Sequence, residues 1–208
     1  MFDFISPMRI WVPWNKGKLI GQKLPFTTQQ VWEVRFNLEA SSSARDLALF
    51  NLAIDSKLRG CDLVSLKVSD VADGTTIKTR GQVVQSKTSR PVKFEICDKA
   101  RDSLRSWINA KGLDADDYLF KSRNRASKHI STRQYARIVK SWARRIGLDA
   151  SKYGTHSLRR TKATAIYRET KNLRAVQLLL GHSKIDSTVR YLGIELEDAL
   201  KTSSRIEM

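Results

Sequence analysis

The sequence predicts a mainly α domain with a small antiparallel β-sheet at one edge, an α+β fold, and three observations carry that expectation. Apolar residues recur at helical spacing before residue 60 and again after residue 100. Between Leu66 and Ile96 that period gives way to frequent Val and Thr, turn signals at Asp73-Gly74 and Gly81, and alternation at Val92, Phe94 and Ile96. A chain of 208 residues with 41% hydrophobic content can bury one good core and at most a small appendage beside it.

The elements follow in order. Residues 1–26 hold three of the four prolines together with Lys16, Lys18 and Lys23 and show no period, so they are expected to form an irregular basic arm. Thr27 and Gln30 resemble a capping box, and Val31, Val34 and Leu38 recur behind it, which predicts a helix to about Ala40. Leu47, Phe50, Leu52, Ile54 and Leu58 are dense enough for a helix buried on more than one side. The 66–96 stretch is read as about three antiparallel strands. Leu104, Trp107 and Ile108 mark the next helix, and Tyr135, Ile138, Val139, Trp142 and Ile146 another with an apolar stripe. Leu158 with Ala165 and Ile166, then Val176 to a stop at Gly181, then Val189 to Ile194, predict three more. The expected organisation is an arm over 1–26, a main domain over 27–194 and a tail over 195–208.

Charge narrows the partner. Thirty-eight Lys and Arg against 21 Asp and Glu leave a formal charge of +17, a field that gathers a polyanion. Anionic membrane fits the charge alone, but no run offers the roughly 18 apolar residues of a spanning helix. Met1 to Pro13 lacks the ordered regions of a secretory signal, so the expectation is a soluble, cytoplasmic, nucleoid-associated protein. Cys61 and Cys97 form neither a disulfide framework nor a paired metal-ligand spacing, and no metal or cofactor is expected. From Lys121 to Arg145 there are nine basic residues and no acid. Arg123, Arg125, Lys128, Arg133, Arg137 and Lys140 are candidates for phosphate contact, which positions DNA without reading its sequence. The competing reading is a solvated helix face. His129 belongs to no motif and is read as a surface residue of this stripe.

The most informative residues are His156-Ser157-Leu158-Arg159-Arg160-Thr161, then Leu180-Gly181-His182-Ser183, then Val189-Arg190-Tyr191-Leu192. His156 and Arg159 resemble the HxxR motif of the tyrosine recombinases and phage integrases. Gly181-His182 resembles that family's second-histidine motif, and Tyr191 stands nine residues after His182, the family's usual interval. Lys57-Leu58-Arg59-Gly60-Cys61-Asp62-Leu63 is similar to the first arginine box, and Lys87 in Gln85-Ser86-Lys87-Thr88 matches the lysine of the β-hairpin. The resemblance spans about residues 27–195. It implies a tyrosine recombinase catalytic-domain fold and a DNA strand cut and rejoined through a 3′-phosphotyrosyl intermediate.

The residue types suit that chemistry in themselves. An attacked phosphodiester gathers negative charge on its nonbridging oxygens, and Arg59 and Arg159 can each offer two parallel donors there. Removing one such aimed donor typically costs about 3 to 4 kcal/mol of barrier. The resemblance makes Lys87 the general acid for the leaving 5′ oxygen and Tyr191 the nucleophile. His156 can take or relay the tyrosine proton, and His182 can donate to a nonbridging oxygen. A phosphotyrosine ester conserves the energy of the bond it replaces, so no ATP is needed. Each residue also has a plainer reading. Tyr191 can be a partly buried tyrosine, His156 a helix cap, His182 a packed residue after the Gly181 stop, Arg59 a partner of Asp62, and Lys87 a solvated turn charge.

The chain departs from the family at three points. Before the first helix there are too few residues for the N-terminal domain that clamps the other face of DNA, which puts unaided tight binding in doubt. Trp11, Trp14, Lys16 and Lys18 can substitute in part or pack on the surface. Lys57-Leu58 precedes Arg59 where a small residue and Leu are common, and Arg160 stands where His is frequent. The expected partners are double-stranded DNA, further protomers in a synaptic tetramer with the 195–208 tail as a protomer contact, and an accessory DNA-binding protein, with no membrane. Two rival functions remain: type IB topoisomerase-like relaxation, and a DNA-binding regulator that keeps the fold without cutting.

Overall fold

The computed structural model describes residues 21–123, 127–193 and 204. Helix α1 (Thr28–Ala40) begins where the capping box foretells: the Thr27 hydroxyl accepts from the Gln30 amide at 3.2 Å, and the Gln30 side chain accepts from the Thr27 amide at 3.0 Å. Its stripe of Val31, Val34 and Leu38 packs on α2 (Ala44–Ser56), which is buried from Ala48 to its end and lies between α1, α5 and α7. Two short helices follow, α3 (Gly60–Val64) and α4 (Val68–Val71).

The β region differs from the expected three-stranded sheet. It is two separate antiparallel ribbons, β1 (Ala72–Asp73) with β2 (Thr76–Ile77), and β3 (Arg80–Val84) with β4 (Pro91–Glu95), the latter paired from Arg80 opposite Glu95 to Val84 opposite Pro91. The first part of the stretch is helical because Val68 and Val71, three apart, turn to the same core, while the Asp70 carboxylate caps the Lys67 amide at 2.8 Å. The Val68 amide is taken by the Asp117 carbonyl at 3.0 Å instead of by a strand.

The remaining helices fall near their expected places: α5 (Asp98–Lys111), α6 (Thr132–Arg145), α7 (Thr155–Thr170), α8 (Leu173–Leu180) and α9 (Ile185–Leu192). Two apolar clusters hold them. The large one runs from Phe26 to Leu158 and contains Phe50, Phe94, Phe120, Tyr135 and Trp142. A small one, made of Ala163, Val176, Leu180 and Leu192 with Tyr191 packed against it, joins α7, α8 and α9. Helix α9 therefore rests on little buried apolar surface.

Residues 21–26 have no regular structure and lie against α7, α9 and the single 3-10 turn at Ala150–Lys152. The Leu24 amide donates to the Lys152 carbonyl at 2.9 Å, the Phe26 amide to the Thr161 hydroxyl at 3.0 Å, and the Gln22 carboxamide to the Arg190 carbonyl. Trp11 and Trp14 lie outside the described residues, as does the tail apart from Ser204. No described helix is long and apolar enough to cross a membrane.

Candidate active site

Arg59 is set by the end of α2. Lys57 closes that helix in a left-handed conformation (φ 53°), and the chain then turns so that Arg59 heads α3. Lys57 is buried, its ammonium donates to the Asp55 carbonyl at 2.6 Å, and burial with Lys162 nearby pushes its pKa down to about 8. Asp55 also pairs with Lys162 of α7 at 2.6 Å and accepts from the Cys97 amide at 2.9 Å. The element before Arg59 is thereby tied to the helix that carries Arg159.

Arg159, one turn into α7, is only 2% exposed. Its Nη2 donates to the Leu180 carbonyl at the end of α8 at 2.6 Å, while its Nη1 is buried with no hydrogen-bond partner among the described residues. Leaving such a donor unmet is costly unless a ligand takes it. The guanidinium groups of Arg159 and Arg160 lie 5.8 and 5.7 Å from the Tyr191 ring, and the His182 ring meets Tyr191 edge-on at 5.4 Å. The Tyr191 hydroxyl points at the His156 carbonyl 3.5 Å away, too far for a strong hydrogen bond. Burial raises its pKa to about 12 against the opposing pull of Arg159 and Arg160. Ionising it at pH 7 would cost about 7 kcal/mol, so this hydroxyl could become a nucleophile only with a base or a concerted proton transfer.

Both histidines are shifted towards the neutral form. Partial burial, then Arg159, Arg59, Arg160 and Lys87 in that order, lower His156. Partial burial with Arg159 and Arg59 lowers His182 to about 4. The His182 Nδ1 lies 3.1 Å from the Thr188 hydroxyl; if that hydroxyl donates, the imidazole proton sits on Nε2 and is available to an acceptor.

Lys87 occupies the turn between β3 and β4, exposed and close enough to act on His156. The turn is braced from α3, because the Asp62 carboxylate accepts from the Ser86 amide at 2.9 Å and the Ser86 hydroxyl at 2.8 Å. Asp62 thus serves the hairpin, and Arg59 finds Gln85 instead, donating from Nη1 to its Oε1. Arg59, His156, Arg159, His182 and Tyr191 are brought to one place with Lys87 at its rim. Sequence reasoning passed over Gln85, Thr188 and the structural use of Asp62; for Gln85 the only signal was its place two residues before Lys87. Among the described residues no three His, Cys, Asp or Glu side chains are grouped so as to hold a metal ion.

The other candidates lie elsewhere. Arg133 and Arg137 are exposed on α6 and Lys140 is half-buried, and Arg144, not singled out from the sequence, extends the same ridge. Helix α6 reaches the site through Tyr135, packed beside Gly60 next to Arg59. Arg123 and Lys128 are exposed in the preceding loop, and Arg125 lies outside the described residues. His129 is half-buried, its ring 5.0 Å from that of Tyr118.

The family model described as the phage integrase family matches residues 26–197. The chain is 33% identical over 178 residues to the probable integrase/recombinase YoeC of Bacillus subtilis (strain 168), covering 86% of this chain and 92% of that one. It is 34% identical over 154 residues to the tyrosine recombinase XerC of Erythrobacter litoralis (strain HTCC2594), covering 73% of this chain but 47% of the relative, so the chain spans about half the length of that protein. In structure it is similar to the XerA recombinase, with a TM-score of 0.73 at 21% identity over 91% of this chain and 68% of that one. It is similar too to the XerH site-specific recombinase in its pre-cleavage complex with difH substrate, with a TM-score of 0.64 at 22% identity over 86% and 52%.

Proposed function

The chain belongs to the phage integrase family, the tyrosine-type site-specific recombinases, and from that premise we propose that it cuts and rejoins DNA strands with Tyr191 as the nucleophile. The Tyr191 oxygen attacks the scissile phosphorus, the bond from phosphorus to the 5′ oxygen breaks, and a 3′-phosphotyrosyl ester forms. Arg59 and the open Nη1 of Arg159 hold the nonbridging oxygens, His182 donates from Nε2 to one of them, and neutral His156 receives the tyrosine proton. Lys87 gives the departing 5′ oxygen its proton. Attack by a 5′ hydroxyl of another strand reverses the sequence and completes exchange without an external energy source.

The observation that carries this reading is the convergence of Arg59, Arg159, Arg160 and Lys87 on His156 beside Tyr191, with two buried guanidinium nitrogens, Nη1 of Arg159 and Nε of Arg160, unpartnered among the described residues. Such an excess of fixed cations calls for an anion. The basic ridge of α6, with Arg123, Arg125 and Lys128, tracks the flanking phosphates. The working form is a tetramer of protomers on two DNA sites, linked through the 195–208 tail. A further clamp comes from the 1–26 arm or from an accessory DNA-binding protein, and the protein acts in the cytoplasm on the nucleoid.

The test is a plasmid carrying two copies of a site selected from random duplexes. Exchange of flanking markers by the wild-type protein, abolished in Tyr191→Phe, supports recombination. Relaxation of supercoils without exchange means the topoisomerase-like reaction, and binding without any nick means a regulator.

A further inference from the structure

We infer that Gln85 is a positioning residue for strand cleavage, setting Arg59 through one buried carboxamide that lies between the Lys87 turn and the end of α8; this rests on the reading that Arg59 meets the scissile phosphate. Gln85 follows β3 and is 1% exposed. Its backbone closes the turn: its amide donates to the Arg90 carbonyl at 2.9 Å, and its carbonyl accepts from the Thr88 and Ser89 amides at 3.3 and 2.8 Å. Its side chain looks the other way. Oε1 accepts from Arg59 Nη1 and from the Thr88 hydroxyl at 2.9 Å, and Nε2 lies 3.5 Å from the Leu180 carbonyl, the same oxygen that takes Arg159 Nη2 at 2.6 Å. The carboxamide oxygen therefore holds Arg59, and the nitrogen only approaches the carbonyl that takes Arg159.

The chemistry of the group fits this place. A carboxamide accepts twice at oxygen, donates at nitrogen and carries no charge, so it can orient cations without neutralising the field they present to a phosphate. With Nη1 of Arg59 held by Gln85, the remaining donors of that fork are the ones free to meet an oxygen. The enclosure is tight: a Cβ placed on Gly181 would stand 3.2 Å from both amide atoms of Gln85. Movement of Gln85 would thus be felt by the hairpin, by α3 and by the end of α8 that leads into His182.

The role is tested by single-turnover cleavage of a nicked suicide duplex with Gln85→Met and Gln85→Glu, alone and combined with Arg59→Ala. Methionine keeps the length and apolar bulk but no hydrogen bond, whereas glutamate keeps the acceptor for Arg59 and Thr88. We expect Gln85→Met to cleave at least tenfold more slowly than wild type, with DNA affinity within threefold, and Gln85→Glu to fall between the two. In the Arg59→Ala background Gln85→Met should add less than twofold. A residue that only fills space would rank the neutral methionine above the buried charge and would multiply with Arg59→Ala, and either result overturns the inference. Should Gln85→Met fail to fold, Gln85→Glu combined with Arg59→Ala still carries the additivity test: a loss that multiplies with Arg59→Ala overturns the inference. If Arg59→Ala cleaves normally, the reading of the arginine itself falls, and this inference with it; a slow Arg59→Ala beside a fully active Gln85→Met overturns the inference alone.

Discussion

Replacing Gly181 with alanine should damage stability and cleavage together, by an amount the structure sets. Gly181 ends α8 at φ +63°, and an added Cβ would lie 2.7 Å from Val92 Cγ2 on β4 and 3.2 Å from both amide atoms of Gln85. The left-handed conformation costs a residue with a Cβ roughly 1 to 2 kcal/mol. Forcing a methyl against a β-branched neighbour adds about 1 to 3 kcal/mol. The sum of about 2 to 5 kcal/mol corresponds to a fall in Tm of roughly 4 to 20 °C for a domain of this size. Gly147 supplies the control, because its φ is +74° and nothing lies within 4 Å of an added Cβ. Gly147→Ala should show only the conformational part, about 1 to 2 kcal/mol, and leave cleavage within twofold. Thermal unfolding by circular dichroism, beside single-turnover cleavage at 25 °C, separates the two. Gly181→Ala should cleave at least tenfold more slowly while still folded. Equal losses of Tm in the two variants, or wild-type cleavage by Gly181→Ala, would refute the claim that the end of α8 is fitted against the hairpin.

The site and the basic ridge of α6 set three other outcomes. Arg159→Lys cannot fill both the Leu180 carbonyl and the open Nη1 direction, so its cleavage rate on the same suicide duplex should drop by about 10² to 10³, the effect of one aimed donor. His182 has a folded pKa near 4, below that of an exposed imidazole, so the unfolded chain takes up the proton first and stability is lost as pH falls from about 6.5 towards 4. Unfolding midpoints measured across that window should therefore decline with acid, and less steeply in His182→Gln. Arg137→Ala and Arg144→Ala, on the exposed ridge of α6, should each lower the slope of log affinity against log salt by about 0.9, whereas Arg101→Ala, whose guanidinium is paired with Asp98, should leave it unchanged.

Local signals in the chain were read where the physics was local. The Thr27 and Gln30 capping box placed the start of α1, the apolar stripe from Tyr135 to Trp142 placed α6, and Gly181 placed the end of α8. Over 66–71 helix stands where strand is expected, because Val68 and Val71 suit a buried turn of helix as well as a strand, and the pairing of Val68 with Asp117, far along the chain, decides between them. The catalytic candidates were legible through charge, type and spacing. What connects them was not: Asp62 stands three residues after Arg59 and looks like its partner, yet it braces Ser86, and Gln85 is a neutral residue whose importance comes from three elements closing around it. The arm residues Gln22, Lys23 and Phe26 carry no motif, and their bonds to Arg190, Arg160 and Thr161 depend entirely on tertiary placement.

The central claim is that Tyr191 becomes linked to a 3′ phosphate, and peptide mapping of the trapped complex tests it most directly. Trypsin cuts after Arg190 and Lys201, leaving a fragment of residues 191–201 that contains one tyrosine. After nuclease trimming of a complex formed on a suicide duplex, tandem mass spectrometry should find the nucleotide on Tyr191 through its 3′ phosphate, and no adduct in Tyr191→Phe. A nucleotide attached through a 5′ phosphate, a label on Tyr167 or another residue, or a bound duplex that never becomes linked would contradict it.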